Sequence, residues 1–339
     1  MIGLPGAGLL LAATLLVSFV LTGRVRRYAQ ERLLDVPNAR SSHSEPTPRG
    51  GGLAVVLAFA PAVAVLFSVG GISFGDMMAL SGGLAVAGIG FWDDHRHVPA
   101  GWRMAAHFAA AAWALCWLGG ISQLAMDGQY LVLGWLGSAI AVIFIVWMLN
   151  LFNFMDGIDG IAGAETVFVA TAAAGLLLLG PGEGRHALPL GVLAFAVAGF
   201  LIWNWPPAKI FMGDVGSGYL GFLLGVFAVL TAITRELSLV VWLILSGVFF
   251  VDATFTLLRR ISSGQRWYDA HRSHAYQRAA VLLAGHKRVT LGVLLIDGFW
   301  LLPWGCAAVF WPHLELWFLL VAYMPLICLA FLLDAGKAT

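Results

Sequence analysis

Four polar side chains, Asn150, Asn153, Asp156 and Asp159, recur at every third residue between two apolar stretches of the chain. Residues three apart on a helix lie on one face, so the four form a slowly turning polar stripe. Two neighbouring carboxylates repel each other, and a divalent cation removes that cost. A water-exposed helix end is the plainer alternative, but such an end usually carries Lys and Glu. The stripe therefore predicts a binding face for a hard cation or a phosphate-bearing ligand.

A second polar stretch, FMGDVGSG at residues 211–218, places Asp214 among glycines at the start of an apolar run. Glycines free backbone N–H groups to meet an anion, and a helix N-terminus favours negative charge. Magnesium prefers one or two carboxylates together with phosphate oxygens and water, so Asp214 is a candidate ligand. The stretch lacks the Gly-Lys-Ser or Gly-Lys-Thr ending of a Walker A loop. A tight turn that caps a helix is the alternative.

Two adjacent acids, Asp93 and Asp94, end an apolar run in the sequence FWDDHRH. Neighbours in sequence do not share a helical face, so we expect one of them to point into a site. The other would then pair with Arg96 or His97. A simple cluster of charges at a helix end is the alternative, although acids at a helix C-terminus oppose the helix dipole.

The sequence HRSH carries His271, Arg272 and His274 in the largest polar connection. A zinc site would need a third His or Cys nearby, and all three Cys residues fall within apolar runs, so a cationic clamp for phosphate is the better interpretation. A helix lying on anionic lipid headgroups is the alternative. In the first connection, His43 and Arg49 add to the same clamp or face lipid.

The composition places these polar stretches in an integral membrane protein. The chain of 339 residues is 60% hydrophobic and 11% charged, whereas soluble globular domains contain about 25% charged residues. The apolar runs lack the alternation of a membrane β-barrel. We therefore predict an all-α, polytopic helix bundle with about eleven transmembrane helices, near residues 4–22, 50–69, 76–91, 104–118, 136–152, 163–180, 186–203, 217–234, 238–258, 289–310 and 313–333.

The distribution of basic residues predicts the orientation of this bundle. Of the 19 Lys and Arg residues, all but Arg185 and Arg235 fall in alternate connections or the C-terminal tail. By the positive-inside rule, the N-terminus is periplasmic and the C-terminus cytoplasmic. All the polar stretches then share the cytoplasmic side, in residues 23–49, 92–103, 150–162, 204–216 and 259–288. The sequence thus predicts one transmembrane domain, residues 1–339, whose cytoplasmic loops form an active site.

These stretches together resemble the polyprenyl-phosphate N-acetylhexosamine-1-phosphate transferase family, also called glycosyltransferase family 4. The resemblance extends from the first connection to the polar segment that precedes the tenth predicted helix, and it rests on five motifs in order: PTPRGGG (46–52), DD (93–94), NxxNxxDGxDG (150–160), FMGDVGSGYLG (211–221) and HRSH (271–274). The family usually carries three His in the last motif, so the departure here concerns recognition of the sugar.

The resemblance implies an enzyme of the bacterial inner membrane that transfers a sugar-1-phosphate from UDP-N-acetylhexosamine to undecaprenyl phosphate and releases UMP, with Mg²⁺ or alternatively Mn²⁺. It implies Asp214 and Asp156 as metal ligands and Asp93 as the general base. Carrying over the remaining motif positions implies catalytic roles for Asp94 and Asp159 and substrate contacts from Asn150, Asn153, Phe211, His271, Arg272, His274, His43 and Arg49.

Eleven helices with the C-terminus inside resemble the branch that initiates O-antigen and related lipopolysaccharide glycans. The branch that makes lipid I from UDP-MurNAc-pentapeptide is the alternative within the family. A lipid or ion transporter is the alternative outside it, but that function favours acids near the membrane midplane, where the sequence places only Asp297. No nucleic-acid partner is expected, and a homodimer is left open.

Overall fold

The computed structural model describes residues 3–35, 46–265 and 271–337. Its helices form one bundle, and two short hairpins, β1 with β2 and β3 with β4, lie in the connections between them. The helices are α1 (Leu4–Arg32), α2 (Gly52–Ser68), α3 (Phe74–His95), α4 (Ala100–Trp117), α5 (Trp135–Met155), α6 (Ile161–Leu179), α7 (Ala187–Asn204), α8 (Asp214–Ile233), α9 (Leu239–Leu245), α10 (Gly247–Ser262), α11 (Ala275–Leu282), α12 (His286–Ile296), α13 (Leu302–Phe310) and α14 (Glu315–Leu332).

The prediction of an all-α polytopic membrane protein is confirmed, and each of the eleven apolar runs falls on helical residues. Within the described residues, eight helical segments are long and apolar enough to cross a membrane, or nine if α9 and α10 form one span. Helix α2 has only 17 residues, and α4 carries Arg103 and His107 in its first two turns. The exact count of eleven spans and the orientation remain predictions.

Helix α8 lies at the centre of the bundle. Every residue from Val215 to Ala232 is buried, and α3 and α5 pack along it. Close packing on α8 requires glycine: a side chain on Gly221 would meet the backbone of Met148 and Leu149 in α5. The N-terminus of α8 is thereby held among the ends of its neighbours, where the polar motifs lie.

One predicted helix is broken. The run at 238–258 forms α9 and α10, which meet at an angle of 85°. The break falls at Ser246, whose hydroxyl donates to the carbonyl of Trp242 at 2.7 Å, and Gly247 follows. Ser and Gly at such a position are a common cause of sharp kinks. The bend directs α10 toward the end of the bundle that carries the polar motifs.

The two hairpins are short. Strands β1 (Leu34–Asp35) and β2 (Thr47–Pro48) pair Leu34 with Pro48, and strands β3 (Gln123–Met126) and β4 (Gln129–Val132) pair Gln123 with Val132. The first hairpin leads into α2 beside the polar motifs. The second lies at the opposite end of the bundle, where the backbone N–H of Asp127 donates to Glu315 at 2.8 Å.

Candidate active site

Asp214 is the first residue of α8, and the carboxylate of Asp94 caps that helix. The backbone N–H groups of Asp214 and Val215 donate to Asp94 at 3.1 and 3.2 Å. Gly213 has φ +76°, and a Cβ there would lie 2.6 Å from the Asp94 carboxylate. Glycine is therefore required for α3 to approach the start of α8 this closely.

The PTPRGGG and FMGDVGSG motifs are two halves of one structure. The N–H groups of Gly51 and Gly52 donate to the carbonyls of Phe211 and Met212 at 2.9 Å, and the N–H of Phe211 donates to the carbonyl of Pro48 at 2.8 Å. A side chain on Gly52 would collide with the backbone of α8. The first motif thus fixes the entry of the chain into α8.

Arg49 contacts protein carboxylate and carbonyl groups in this arrangement. Its Nε lies 3.3 Å from the carboxylate of Asp94, and its Nη2 donates to the Asp94 carbonyl at 3.0 Å. The Asp94 side chain is only 1% exposed. In the structure, these two residues therefore stabilise the start of α8, and the direct roles inferred for them from the motif stay predictions.

Asp93, the neighbour of Asp94, points to the other side. It accepts hydrogen bonds from the backbone N–H of Val98 at 2.6 Å and from Nη1 of Arg103 at 2.5 Å. The same Nη1 donates to Asp214 at 3.2 Å. The expected pairing partner Arg96 is exposed, and His97 lies 3.9 Å from Asp93. Arg103, which the motif analysis did not identify, is thus the main partner of Asp93.

The polar residues at the end of α5 make different contacts. Asn153 donates from Nδ2 to Asp214 and to the hydroxyl of Ser217, both at 3.1 Å. Asn150 donates to the carbonyl of Val146 one turn earlier, at 2.7 Å. Only Asn150 and Asn153 of the predicted stripe lie within α5, because the helix ends at Met155, and Asn153 fixes the Asp214 carboxylate.

Asp156 ends α5 as a half-buried carboxyl. Burial raises the pKa of Asp156 to about 8, and the negative charges of Asp214, Asp94 and Asp159 add to the effect. Within the described part of the chain, no group donates a hydrogen bond to it. A carboxyl held close to other carboxylates without a donor is the environment that a divalent cation relieves.

Asp159, in contrast, contacts residues from other parts of the chain. It accepts from the backbone N–H of Ala208 at 3.0 Å and lies 3.2 Å from Nδ1 of His286, while its carbonyl accepts from Thr290 at 3.0 Å. Both carboxylate oxygens therefore contact the protein, and Asp159 links the start of α6 to α12.

The HRSH motif is organised by Asp252 in α10. The Asp252 carboxylate accepts from the N–H groups of Ala275 and Tyr276 at 2.9 Å, which caps α11, and it lies 3.2 Å from Nδ1 of His274. A carboxylate on one ring nitrogen fixes the imidazole orientation and leaves the other nitrogen for a ligand. Asp252 is therefore a positioning residue for His274.

His271 stacks on His274, with ring centroids 4.9 Å apart. Burial, together with the charges of His274 and Arg260, lowers the pKa of His271 to about 4 against a smaller opposing effect of Asp252. His271 is therefore neutral near pH 7, which differs from the expected cationic clamp. Its ring can still donate or accept a hydrogen bond. A bound anion would raise this pKa by favouring the imidazolium form.

These groups surround one cavity of about 360 Å³. Its polar wall brings together predicted residues from three motifs and two residues, Arg103 and His107, that the motifs did not contain; the set is Arg103, His107, Asn150, Asn153, Asp214, His271 and His274. Asp93 acts on this wall through Arg103. Phe211 and Arg272 are half-buried and lie outside the cavity wall, and His43 lies outside the described residues.

The donor set suits magnesium better than zinc. Asp214 lies in the cavity wall and Asp156 does not, and the described residues contain no group of three or more His, Cys, Asp or Glu placed to hold a metal alone. Magnesium commonly binds through one or two carboxylates and completes its coordination with phosphate and water. The Asp214 carboxylate fits this pattern, and Arg103 competes for one of its oxygens.

The fold and this site define a class, a polytopic membrane protein with a polar, carboxylate-containing cavity at one end of its helix bundle. The family model described as glycosyl transferase family 4 matches residues 77–232, which include Asp93, Arg103, Asp156 and Asp214. This match and the relatives that follow support a polyprenyl-phosphate N-acetylhexosamine-1-phosphate transferase family for this chain.

Individual relatives extend the similarity over most of the chain. A probable undecaprenyl-phosphate N-acetylglucosaminyl 1-phosphate transferase from Bacillus subtilis is 29% identical over 93% of this chain and 89% of its own length. A decaprenyl-phosphate N-acetylglucosaminephosphotransferase from Mycobacterium leprae is 29% identical over 88% and 81%. A phospho-N-acetylmuramoyl-pentapeptide-transferase from Moorella thermoacetica is 33% identical, but over only 44% and 46%.

Proposed function

We propose that this protein transfers N-acetylhexosamine-1-phosphate from a UDP-sugar to undecaprenyl phosphate, with Mg²⁺, and so initiates an O-antigen or related lipopolysaccharide glycan. The observation that carries the proposal is the cavity in which Asp214, at the start of a buried helix, meets Arg103 from α4 and Asn153 from α5. The relatives with the widest coverage support N-acetylglucosamine-1-phosphate transfer.

The reaction is a displacement at the phosphorus atom nearest the sugar. A terminal oxygen of the lipid phosphate forms a bond to this phosphorus, and the bond from it to the bridging oxygen breaks. UMP leaves with the bridging oxygen and its electron pair. A phosphomonoester has its second pKa near about 6, so the attacking lipid phosphate is already largely dianionic at pH 7. Catalysis then depends mainly on alignment and on neutralising charge.

The residues of the cavity suit this task. Arg103 brings a fixed positive charge beside Asp214, and Asn153 holds the carboxylate in one orientation. His274, oriented by Asp252, presents its remaining ring nitrogen to the cavity. Asp156 and Asp214 would hold the magnesium ion, which supplies charge neutralisation at the diphosphate when bound. Because Asp93 is fixed by Val98 and Arg103, we assign it to positioning Arg103.

An apolar groove beside the cavity suits the lipid acceptor. The groove has a volume of about 270 Å³ and runs between α10, α11, α12 and α14, with Leu282, Ile296 and Leu329 in its wall. Tyr276 and Asp252 also line it, and Asp252 contacts His274 of the catalytic cavity. An isoprenoid chain in this groove would place its phosphate near the HRSH motif.

The proposal also includes the membrane and the side of it on which the active site lies. The site would face the cytoplasm of a bacterial inner-membrane protein with a periplasmic N-terminus, because nearly all Lys and Arg residues fall on that side in the predicted topology, in accord with the positive-inside rule. The donor would then come from the cytoplasm and the acceptor from the adjoining leaflet.

The testing experiment measures UMP release by the purified protein with undecaprenyl phosphate and Mg²⁺. The donors are UDP-GlcNAc, other UDP-N-acetylhexosamines and UDP-MurNAc-pentapeptide, and Asp214→Asn is the matched inactive control. We expect release with an N-acetylhexosamine donor only. Release with UDP-MurNAc-pentapeptide alone would favour lipid I synthesis, the second candidate, which the shorter similarity to phospho-N-acetylmuramoyl-pentapeptide-transferases supports. UMP release from none of the donors would refute both.

A further inference from the structure

Two acids lie inside the helix bundle away from the catalytic cavity. Glu165 is in the second turn of α6, and Asp297 begins a π-helical turn, Asp297–Leu301, between α12 and α13. Both residues are 0% exposed. Acids of this kind are rare in membrane-spanning helices and usually have a role.

The two carboxyl groups lack hydrogen-bond partners among the described residues. All four of their oxygens are buried, and none makes a hydrogen bond to a described residue. Helix α6, which carries Glu165, packs against α12 and α13 on either side of Asp297, and the electrostatic effects on each acid come from the other one. The helices that surround them contribute apolar side chains to the core.

Two ionised carboxylates cannot persist in this setting. Burying an unpaired charge is strongly unfavourable, and an ionised carboxylate can only accept hydrogen bonds. A proton between the groups converts one of them into a donor and removes the repulsion, as in other carboxyl pairs that share a site. A metal cation would need several more oxygen ligands than this pair provides.

We propose that Glu165 and Asp297 form a proton-binding site in the helical core, in which the paired carboxyl groups hold a proton between them at neutral pH. The π-helical turn fits this role, because such turns displace a side chain from the regular helical position and recur at functional sites. The site is separate from the proposed transferase chemistry and does not depend on it.

The bound proton would hold together two helices that also support the active site. Glu165 lies six residues after Asp159, and Asp159 is joined to Thr290 and His286 of α12. Asp297 follows α12 directly. Ionisation of both acids would therefore push α6 away from the α12–α13 connection and loosen the segment that contains Asp159.

Infrared spectroscopy of the purified protein tests the proposal directly, because a protonated carboxyl group has a carbonyl band distinct from that of a carboxylate. We compare the wild type with the Glu165→Gln/Asp297→Asn double variant and with Glu183→Gln, whose side chain is 71% exposed at the other end of the bundle. We expect a protonated-carboxyl band at pH 7 whose intensity falls in the double variant and stays unchanged in Glu183→Gln, while Asp156 contributes to the band in all three proteins. An unchanged spectrum in the double variant would overturn the proposal.

Thermal unfolding supplies a second readout, and it keeps the test valid if the double variant does not fold. The folded protein holds a proton that isolated Glu and Asp, with pKa values near about 4, have lost at pH 7. Stability from this site is therefore complete at low pH and declines as pH rises. Each single variant, Glu165→Gln or Asp297→Asn, can replace the proton with an amide donor, so we expect a smaller decline in its midpoint between pH 6 and 9.

Any decline of the thermal midpoint that remains in the single variants would come from other titratable groups, which the wild type and the variants share. A comparison of thermal stability in two salts distinguishes a bound proton from a bound metal ion. If sodium chloride stabilised the wild type more than choline chloride, and the double variant lost this difference, the site would bind a monovalent metal ion and the proton assignment would be wrong. Equal slopes in the wild type and both single variants would also contradict the proposal.

Discussion

A single guanidinium nitrogen joins the two acidic motifs of this protein: Nη1 of Arg103 lies 2.5 Å from the carboxylate of Asp93 and 3.2 Å from that of Asp214. Asp214 lies 111 residues beyond Arg103 in the chain. The contact therefore fixes the position of α4 relative to the start of α8. It also places a permanent positive charge at the edge of the cavity, next to the carboxylate assigned to the metal.

Replacement of Arg103 tests this arrangement. Arg103→Ala removes the charge and leaves two carboxylates unpaired, so we expect kcat/KM to fall by about 10²–10³-fold, the usual cost of a lost electrostatic donor. Arg103→Lys should recover part of this loss, because a single ammonium can reach both acids. Arg96→Ala, an exposed neighbour, is the control. UMP release at varied donor concentration measures the effect, and equal rates for the two Ala variants would contradict the bridge.

Asp93 distinguishes positioning from general base catalysis. Both of its carboxylate oxygens already accept hydrogen bonds, from Val98 and Arg103. We therefore expect Asp93→Asn to lower the rate by a similar factor at every pH from 6 to 9. A rate that returned to near the wild-type value at high pH would instead support the base role.

Metal binding tests Asp156 and Asp214 independently of turnover. Mn²⁺ is the probe, and the paramagnetic resonance signal of free Mn²⁺ measures its affinity in the presence of the UDP-sugar. We expect Asp214→Asn and Asp156→Asn each to weaken binding by at least about tenfold. Asp159→Asn is the matched control, because its oxygens contact Ala208 and His286. A stronger effect of the control than of the other two would reassign the metal ligands.

Asp252 should contribute to stability through α11. Asp252→Asn weakens the hydrogen bonds that cap this helix and removes the carboxylate beside His274, so we expect a loss of about 1–2 kcal/mol in the free energy of unfolding. Asp334→Asn, at a position exposed to solvent, should leave it essentially unchanged. Unfolding in detergent measures both, and an undiminished stability of Asp252→Asn would show that the cap is dispensable.

At the opposite end of the bundle, His186 should make the thermal stability depend on pH. Burial lowers the pKa of His186, but its ion pairs with Asp76 and Glu236 outweigh that effect and raise the pKa overall. A raised pKa means that stability is complete below the unfolded value of about 6.5 and is lost as pH rises through the folded value. We expect the thermal midpoint to fall above about pH 6.5.

His186→Gln provides the comparison for that prediction. The variant keeps a polar side chain but has no titration in this range, so its midpoint should vary less with pH than that of the wild type. His313→Gln, an exposed His near the same end, is the control and should behave as the wild type does. Parallel curves for the wild type and His186→Gln would exclude the contribution of this cluster.

Local spacing allowed much of the site to be predicted. Asn153 and Asp214 each lie in a motif whose pattern is visible over a few residues, and the structure places them 3.1 Å apart. The apolar runs likewise predicted the helices, because each run is long enough to form its own backbone hydrogen bonds. The bend at Ser246 and the π-helical turn at Asp297 were not predicted, since apolar composition does not report backbone direction.

Other residues could not be assigned from a motif. Arg103 counted only as one more basic residue in a loop, and Asp252 was a minor candidate, until packing placed the first beside Asp214 and the second beside His274. Arg49 and Asp94 show the opposite case. Both belong to motifs, but in the structure they contact each other and the start of α8. A motif identifies residue types, whereas the partners of a side chain depend on which helices pack together.

The sequence by itself determined that this chain forms apolar helices and carries acidic and amide motifs between them, because hydrophobicity and i, i+3 spacing are properties of short segments. Only the tertiary structure decided which carboxylates face the cavity, which cap a helix, and which pair in the core. Those outcomes depend on contacts between residues distant in sequence, and the low polarity of a helix bundle makes each such contact either a satisfied partner or a costly unpaired charge.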